Sequence, residues 1–196
     1  IQTVCQRDVR DVADIENVTA VPRLLALLAS RTSGMLNVAD VARAVGIPYA
    51  TLHRYLALLQ AVYLFVPTQR WSNNFGLRVV KSPKVALGDT GLSCALLRLD
   101  ADQVRATGML GLLLENLVAM EFRKDAGWSL TRPEVYHYRD DSGREVDVML
   151  EGPGGRIVAI EVKASATVGA RDASGLKYLS ERLGSRFHRG VILYTG

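Results

Sequence analysis

Apolar residues recur at helical spacing through the first half of the chain and at strand spacing through the last third, and the change of period divides it. From Val21 the run P-R-L-L-A-L-L-A-S reads as a Pro-initiated helix with one apolar face, stopped near Ser33-Gly34. Asn37 can cap a second helix, V-A-D-V-A-R-A-V, which Gly46 closes. Pro48 opens a third, in which Leu52, Tyr55, Leu56 and Leu59 recur on one face. Lys81 to Leu99 reads as a short strand, a turn through Gly88 to Gly91, and a helix capped by Asp89 or Thr90; Asp100 to Gly108 reads as a loop. Met109 to Ala126 is apolar almost all round, which predicts a helix buried between layers. The strand V-Y-H-Y-R follows, then a hairpin over Arg144 to Ala164 around Gly-Pro-Gly-Gly, a helix over Arg171 to Leu183 and a final buried strand over Gly190 to Thr195.

The helices up to Leu59 make a helix-turn-helix, and V-Y-L-F-V-P with a strand over Leu77 to Val80 would supply the hairpin of a winged helix, its tip at Gln69 to Phe75. On that reading Tyr49, Thr51, His53 and Arg54 face the major groove of DNA, and Arg70 and Arg78 on the wing contact phosphates. Winged helices serve equally as protein-packing modules, and the candidate recognition helix carries little positive charge. Tyr55 reads as core and His53 as a surface residue.

The chemistry concentrates in the hairpin. Strand alternation puts Val146, Val148 and Leu150 on one face and Glu145, Asp147 and Met149 on the other; Glu161 and Lys163, two apart on the next strand, share a face as well. A carboxylate from one strand then meets a carboxylate and an ammonium from its neighbour. Two acids can hold a hard divalent cation, and a lysine beside them can orient or deprotonate a water or stabilise charge on a phosphate. A plain surface ion pair is the structural alternative. Glu115, inside an apolar helix, must be paired, protonated or metal-bound. His137 between two tyrosines reads as a sheet histidine rather than a catalytic one.

The D-x13-E-x-K spacing on adjacent strands resembles the active-site motif of PD-(D/E)XK nucleases, and the order helix, three strands, helix, strand matches their α-β-β-β-α-β core. V-R-D-V-A-D-I near the start, K-S-P-K-V-A-L-G-D-T-G-L, L-L-E-N-L-V, R-E-V-D-V-M-L and A-I-E-V-K-A-S, in this order, resemble the C-terminal region of a family of prokaryotic AAA+-type ATPases. In that family a P-loop domain precedes a winged helix and a domain of unknown function similar to restriction endonucleases. The resemblance implies an α+β or α/β chain: a linker or entry helix from an ATPase domain over residues 1–20, a winged helix-turn-helix over 21–82, and a nuclease-like domain over 83–196. It further implies a DNA phosphodiesterase in which Asp147, Glu161 and the main-chain carbonyl of Val162 bind Mg2+ or Mn2+, Glu115 supplies an extra acid, and Lys163 positions the attacking water. Glu121 is a weaker acidic candidate, and Lys177 falls where some superfamily members place an auxiliary residue. The alternatives are a non-catalytic DNA- or partner-binding module that regulates the attached ATPase, and a purely structural regulator.

Composition narrows this little. With 196 residues and 48% hydrophobic content the chain can bury one good core or two modest ones. A net charge of +4 permits contact with a polyanion without requiring it. Cys5 and Cys94 show neither disulfide nor zinc spacing, which points to a reducing cytoplasm. The apolar run Met109 to Met120 is too short to span a bilayer, so no membrane role is expected. No G-x-x-x-x-G-K-[ST] is present, so ATP binding is not expected of this segment. A start at Ile1, without an initiator Met, suggests a piece of a longer polypeptide.

Overall fold

The computed structural model describes residues 20–196, so the linker expected over residues 1–20 and Cys5 lie essentially outside the described residues. By packing, the chain forms two compact units, the first taking residues up to Pro67 and Lys84–Met109, the second Thr68–Pro83 and Leu110–Gly196. This division differs from the 82/83 boundary read from the sequence. Residues 68–83 were read as part of the wing, yet they pack with the C-terminal sheet.

The first unit is helical. Helices α1 (Ala20–Ser30), α2 (Val38–Val45) and α3 (Tyr49–Ala61) bury one face each, with Leu24, Leu25, Leu28, Val41, Val45, Leu52, Tyr55 and Leu59 in one cluster. Helix α2 is bounded as expected: the Asn37 side chain accepts from Asp40 N at 3.0 Å, and Gly46 closes it at φ 79°. Phe65 bridges Leu87, and Met35 bridges Lys84, all antiparallel. In the segment that belongs to the second unit, the strand expected over Leu77 to Val80 is instead helix α4 (Phe75–Val80), started by an Asn74 side chain that accepts from Gly76 N. Helix α5 (Thr90–Leu97) is capped by Asp89, whose carboxylate accepts from Leu92 N at 2.8 Å. The loop expected over Asp100 to Gly108 contains helix α6 (Ala101–Ala106), nucleated by a reciprocal cap between Asp100 and Gln103.

The second unit follows the expected order of elements. After α7 (Leu110–Trp128) come β1 (Glu134–Arg139), β2 (Glu145–Glu151) and β3 (Ile157–Lys163), then α8 (Ser174–Leu183) and β4 (Phe187–Tyr194). The sheet runs β1-β2-β3-β4, with β1/β2 and β2/β3 antiparallel and β3/β4 parallel across α8. The β2–β3 turn uses Gly154 and Gly155 at φ near 70°, which is why glycine stands at both positions. Helix α7 is not buried all round as its composition predicts. It buries Leu113, Asn116, Ala119 and Met120 and leaves Leu112 and Leu117 exposed, because it lies on one side of one sheet. Strand β4, expected to be buried, is an edge strand with His188, Arg189 and Gly190 exposed.

Residues 69–71 extend the other edge. Arg70 bridges His137 in parallel, with His137 N donating to Gln69 O and Trp71 N to His137 O. Trp71 then enters the core with Tyr138, Met149, Ile157 and Leu179. Arg78 follows it inward and donates from Nη2 to Glu151 Oε1 at 3.2 Å, while Arg186 reaches the same carboxylate at 3.1 Å. Side-chain exposures of 7% for Arg78 and 12% for Glu151 make this a buried charge network.

Candidate active site

The site is made by an irregularity in β2. Tyr136 pairs with Met149 and Tyr138 with Val146, so a step of two on β1 faces a step of three on β2. The extra residue is a bulge, and it breaks the strict alternation read from the sequence: Val146 and Met149 both join the core cluster with Leu176 and Leu179 of α8. Helix α8 comes close at this point, where a Cβ on Gly175 would meet Glu145 O at 2.6 Å.

Beyond the bulge the sheet forks. Antiparallel pairing of β2 with β3 ends at Val148 and Ile160, whereas β3 stays paired with β4 through Lys163 and Tyr194. In place of a ladder carbonyl, Asp147 Oδ2 accepts the Val162 N–H at 2.9 Å. Glu161 and Lys163 lie on the β3 side of the fork, Lys163 Nζ donating to Glu161 Oε1 at 2.7 Å. Glu161 is only 13% exposed and Lys163 31%, so this is a half-sheltered pair at the lip of the sheet.

Burial alone would push the Lys163 pKa down. The Glu161 hydrogen bond, then the charges of Glu161, Asp147 and Asp172, hold it above its ordinary value. These acids favour the ammonium form of Lys163. Asp172 was missed by sequence reasoning. It lies in the β3–α8 connection, its carboxylate accepting Gly169 N at 2.8 Å, and no periodicity or motif marks it.

Other candidates sit elsewhere. Glu115 is half-buried on α7. No group of three or more His, Cys, Asp or Glu able to hold a metal ion occurs among the described residues. Val162 meets Asp147 through its amide. Glu121 pairs with Lys124 at 2.6 Å, and Lys177 is exposed on α8. On α3, Tyr49, His53 and Arg54 are exposed and Thr51 is half-buried, the Tyr49 and His53 rings 4.6 Å apart. Arg70 and Arg78 do not join them on a wing: both belong to the second unit, Arg70 paired with Asp141 and Arg78 with Glu151.

Comparison with known proteins adds family membership. Residues 1–103, more than half of the chain, match the family described as "Domain of unknown function (DUF8612)". The chain belongs to that family. Residues 110–196, the helix α7 and sheet region, match a second, "Domain of unknown function (DUF4143)". Uncharacterized proteins of Mycobacterium tuberculosis and Mycobacterium bovis are each 26% identical over 173 residues, covering 85% of this chain. The chain spans about 37% of the length of these relatives. No solved structure matches it. No helix among the described residues is long and apolar enough to cross a membrane.

Proposed function

We propose that this chain is the nucleic-acid-acting part of a longer protein, a winged helix-turn-helix followed by a PD-(D/E)XK-like domain that cleaves DNA phosphodiesters with a divalent ion. The observation that carries the reading is the fork. The acid–acid–lysine set of the motif converges where β2 leaves β3, with Asp147 bonded to the backbone between Glu161 and Lys163.

The donor chemistry fits the ion. Asp147 and Glu161 offer only oxygen, as a hard cation requires, and Mg2+ characteristically uses one or two carboxylates and keeps several waters. Bound there, Mg2+ or Mn2+ would supply positive charge to a phosphate and a more acidic water. Lys163, held as an ammonium, orients the attacking water and offsets charge on the phosphate. Asp147 keeps the fork spaced through Val162. An ATPase domain elsewhere in the longer protein is part of the proposal, as is contact of Tyr49, Thr51, His53 and Arg54 with DNA.

A second reading is a non-catalytic module that binds DNA or a partner and regulates the ATPase. It draws on the same contacts, since Asp147 and Glu161 are each engaged by the protein's own donors.

Calorimetric titration of Mn2+ into wild-type and Asp147→Asn protein, followed by incubation with supercoiled and branched DNA, separates the two. Metal binding and cleavage by wild type alone support the nuclease. Absence of both in wild type, with salt-sensitive DNA binding retained, supports the regulatory module.

A further inference from the structure

A cavity of ≈ 340 Å3 lies within the second unit, beside the candidate active site but distinct from it. Its walls come from residues 70–81, the end of β1 with the following turn, and Arg182 of α8. Arg70, Lys81, Arg139 and Arg182 line it against Asp140 and Asp141, so cations outnumber acids two to one.

The pairing there is uneven. Asp140 is held by Arg144 and the turn backbone, and Arg139 pairs with Glu145. Asp141, 85% exposed at the tip of the turn, is shared by Arg70 at 3.2 Å and Lys81 at 3.5 Å. Arg182 donates to the Tyr178 hydroxyl at 2.9 Å, a neutral acceptor. Two cations sharing one solvated carboxylate, with a third bonded to a phenol, form a place where an anion of higher charge outcompetes the resident one.

Trp71 also lines the cavity. It is 2% exposed, and its indole N–H is buried with no hydrogen-bond partner among the described residues. The cavity is also well placed. Arg139 and Tyr138 pair with Glu145 and Val146, the two residues preceding Asp147, so a strand held here reaches the fork within one or two residues of β2.

We infer that this cavity is a phosphate-binding subsite for the backbone of a nucleic-acid strand, with Asp141 occupying the anion's place until the strand displaces it. This rests on the nucleic-acid reading above. Arg70 and Lys81 take the phosphate oxygens, and Trp71 forms part of the wall.

Trp71 is also the reporter. The chain has two tryptophans, and Trp128 is exposed on the end of α7. In a Trp128→Phe background the emission is that of Trp71. A short single-stranded oligonucleotide, and separately inorganic phosphate, are titrated in EDTA at two salt concentrations. The oligonucleotide changes the emission saturably and more weakly at high salt. Arg70→Gln lowers its affinity about tenfold and Lys81→Gln about threefold, whereas Asp141→Asn raises it about threefold. The more exposed Lys81 and Asp141 variants keep the test valid should Arg70→Gln fail to fold.

An unaltered emission, a response to phosphate but not to the oligonucleotide, or an affinity indifferent to Lys81 and Asp141 overturns the inference. Saturable binding of this pattern without cleavage by wild type in Mn2+ retains the subsite and removes the nuclease.

Discussion

Two sets of charged side chains stand on the same sheet and differ in how they are held. At the far end of β2, Glu151 takes two arginines. Arg78 reaches it with two nitrogens and lies 4.4 Å from the Phe75 ring centre, 5.0 Å from that of Tyr136 and 5.4 Å from that of Trp71. At the near end, Asp147 accepts from the Val162 amide and Lys163 donates to Glu161, at the lip of the sheet. The first set is enclosed, bidentate and aromatic-walled, so it serves folding. The second shelters its acid as well, Glu161 being 13% exposed against 12% for Glu151, but its cation Lys163 is 31% exposed against 7% for Arg78, so this pair opens to water on the lysine side. Sequence spacing singled out the second and read Arg78, the centre of the first, as a DNA contact.

The sharpest way to break this contrast is Arg78→Ala. Leaving Glu151 with Arg186 alone, without its bidentate partner, is expected to cost about 2–3 kcal/mol, read as a lower urea midpoint by circular dichroism. An equal loss from Asp147→Asn, which keeps an acceptor for Val162 N–H, would erase the distinction.

Next comes activity. Asp147→Asn or Glu161→Gln is expected to cut DNA cleavage by about a hundredfold or more while the urea midpoint moves little. Cleavage surviving both substitutions would turn the lip into an ordinary ion pair.

Gly175→Ala probes the geometry between the sets. The added methyl must push α8 off the Glu145 carbonyl beside the bulge, costing about 1–3 kcal/mol and lowering Mn2+ affinity through the displaced β2. Intact metal binding after that loss of stability would show that the bulge does not position Asp147.

The smallest effect is the pH dependence of Lys163. Its pKa is raised in the folded state, so the pair contributes stability in full below the unfolded lysine value, and that contribution fades as pH climbs past the folded one. The stability difference between wild type and Lys163→Gln should be flat from about pH 6 to about pH 10 and shrink above it. Shrinkage near neutrality would mean that Lys163 is held by something other than its acids.

Much of the fold was legible because its signals are local. Asn37, Gly46 and Asp89 act on backbone groups within four residues, and the caps stand where the residues predicted them. Leu52, Tyr55, Leu56 and Leu59 needed only the helical period. The burial of α7 misled, because its apolar composition pointed to burial on every side and the helix packs by one face on the sheet, leaving Leu112 and Leu117 exposed. Asp172 and Asp141 carry no local signal: each matters through a cation that the chain brings back from elsewhere.

The sequence by itself determined the order of elements from α7 onward and the pair of strands that bear Asp147, Glu161 and Lys163, since hydrophobic period and turn chemistry act over a few residues. Tertiary structure decided the rest. The bulge in β2, the docking of residues 68–83 along β1 and the burial of Arg78 against Glu151 depend on partners up to 73 residues apart, whose attraction exists only once the sheet has formed.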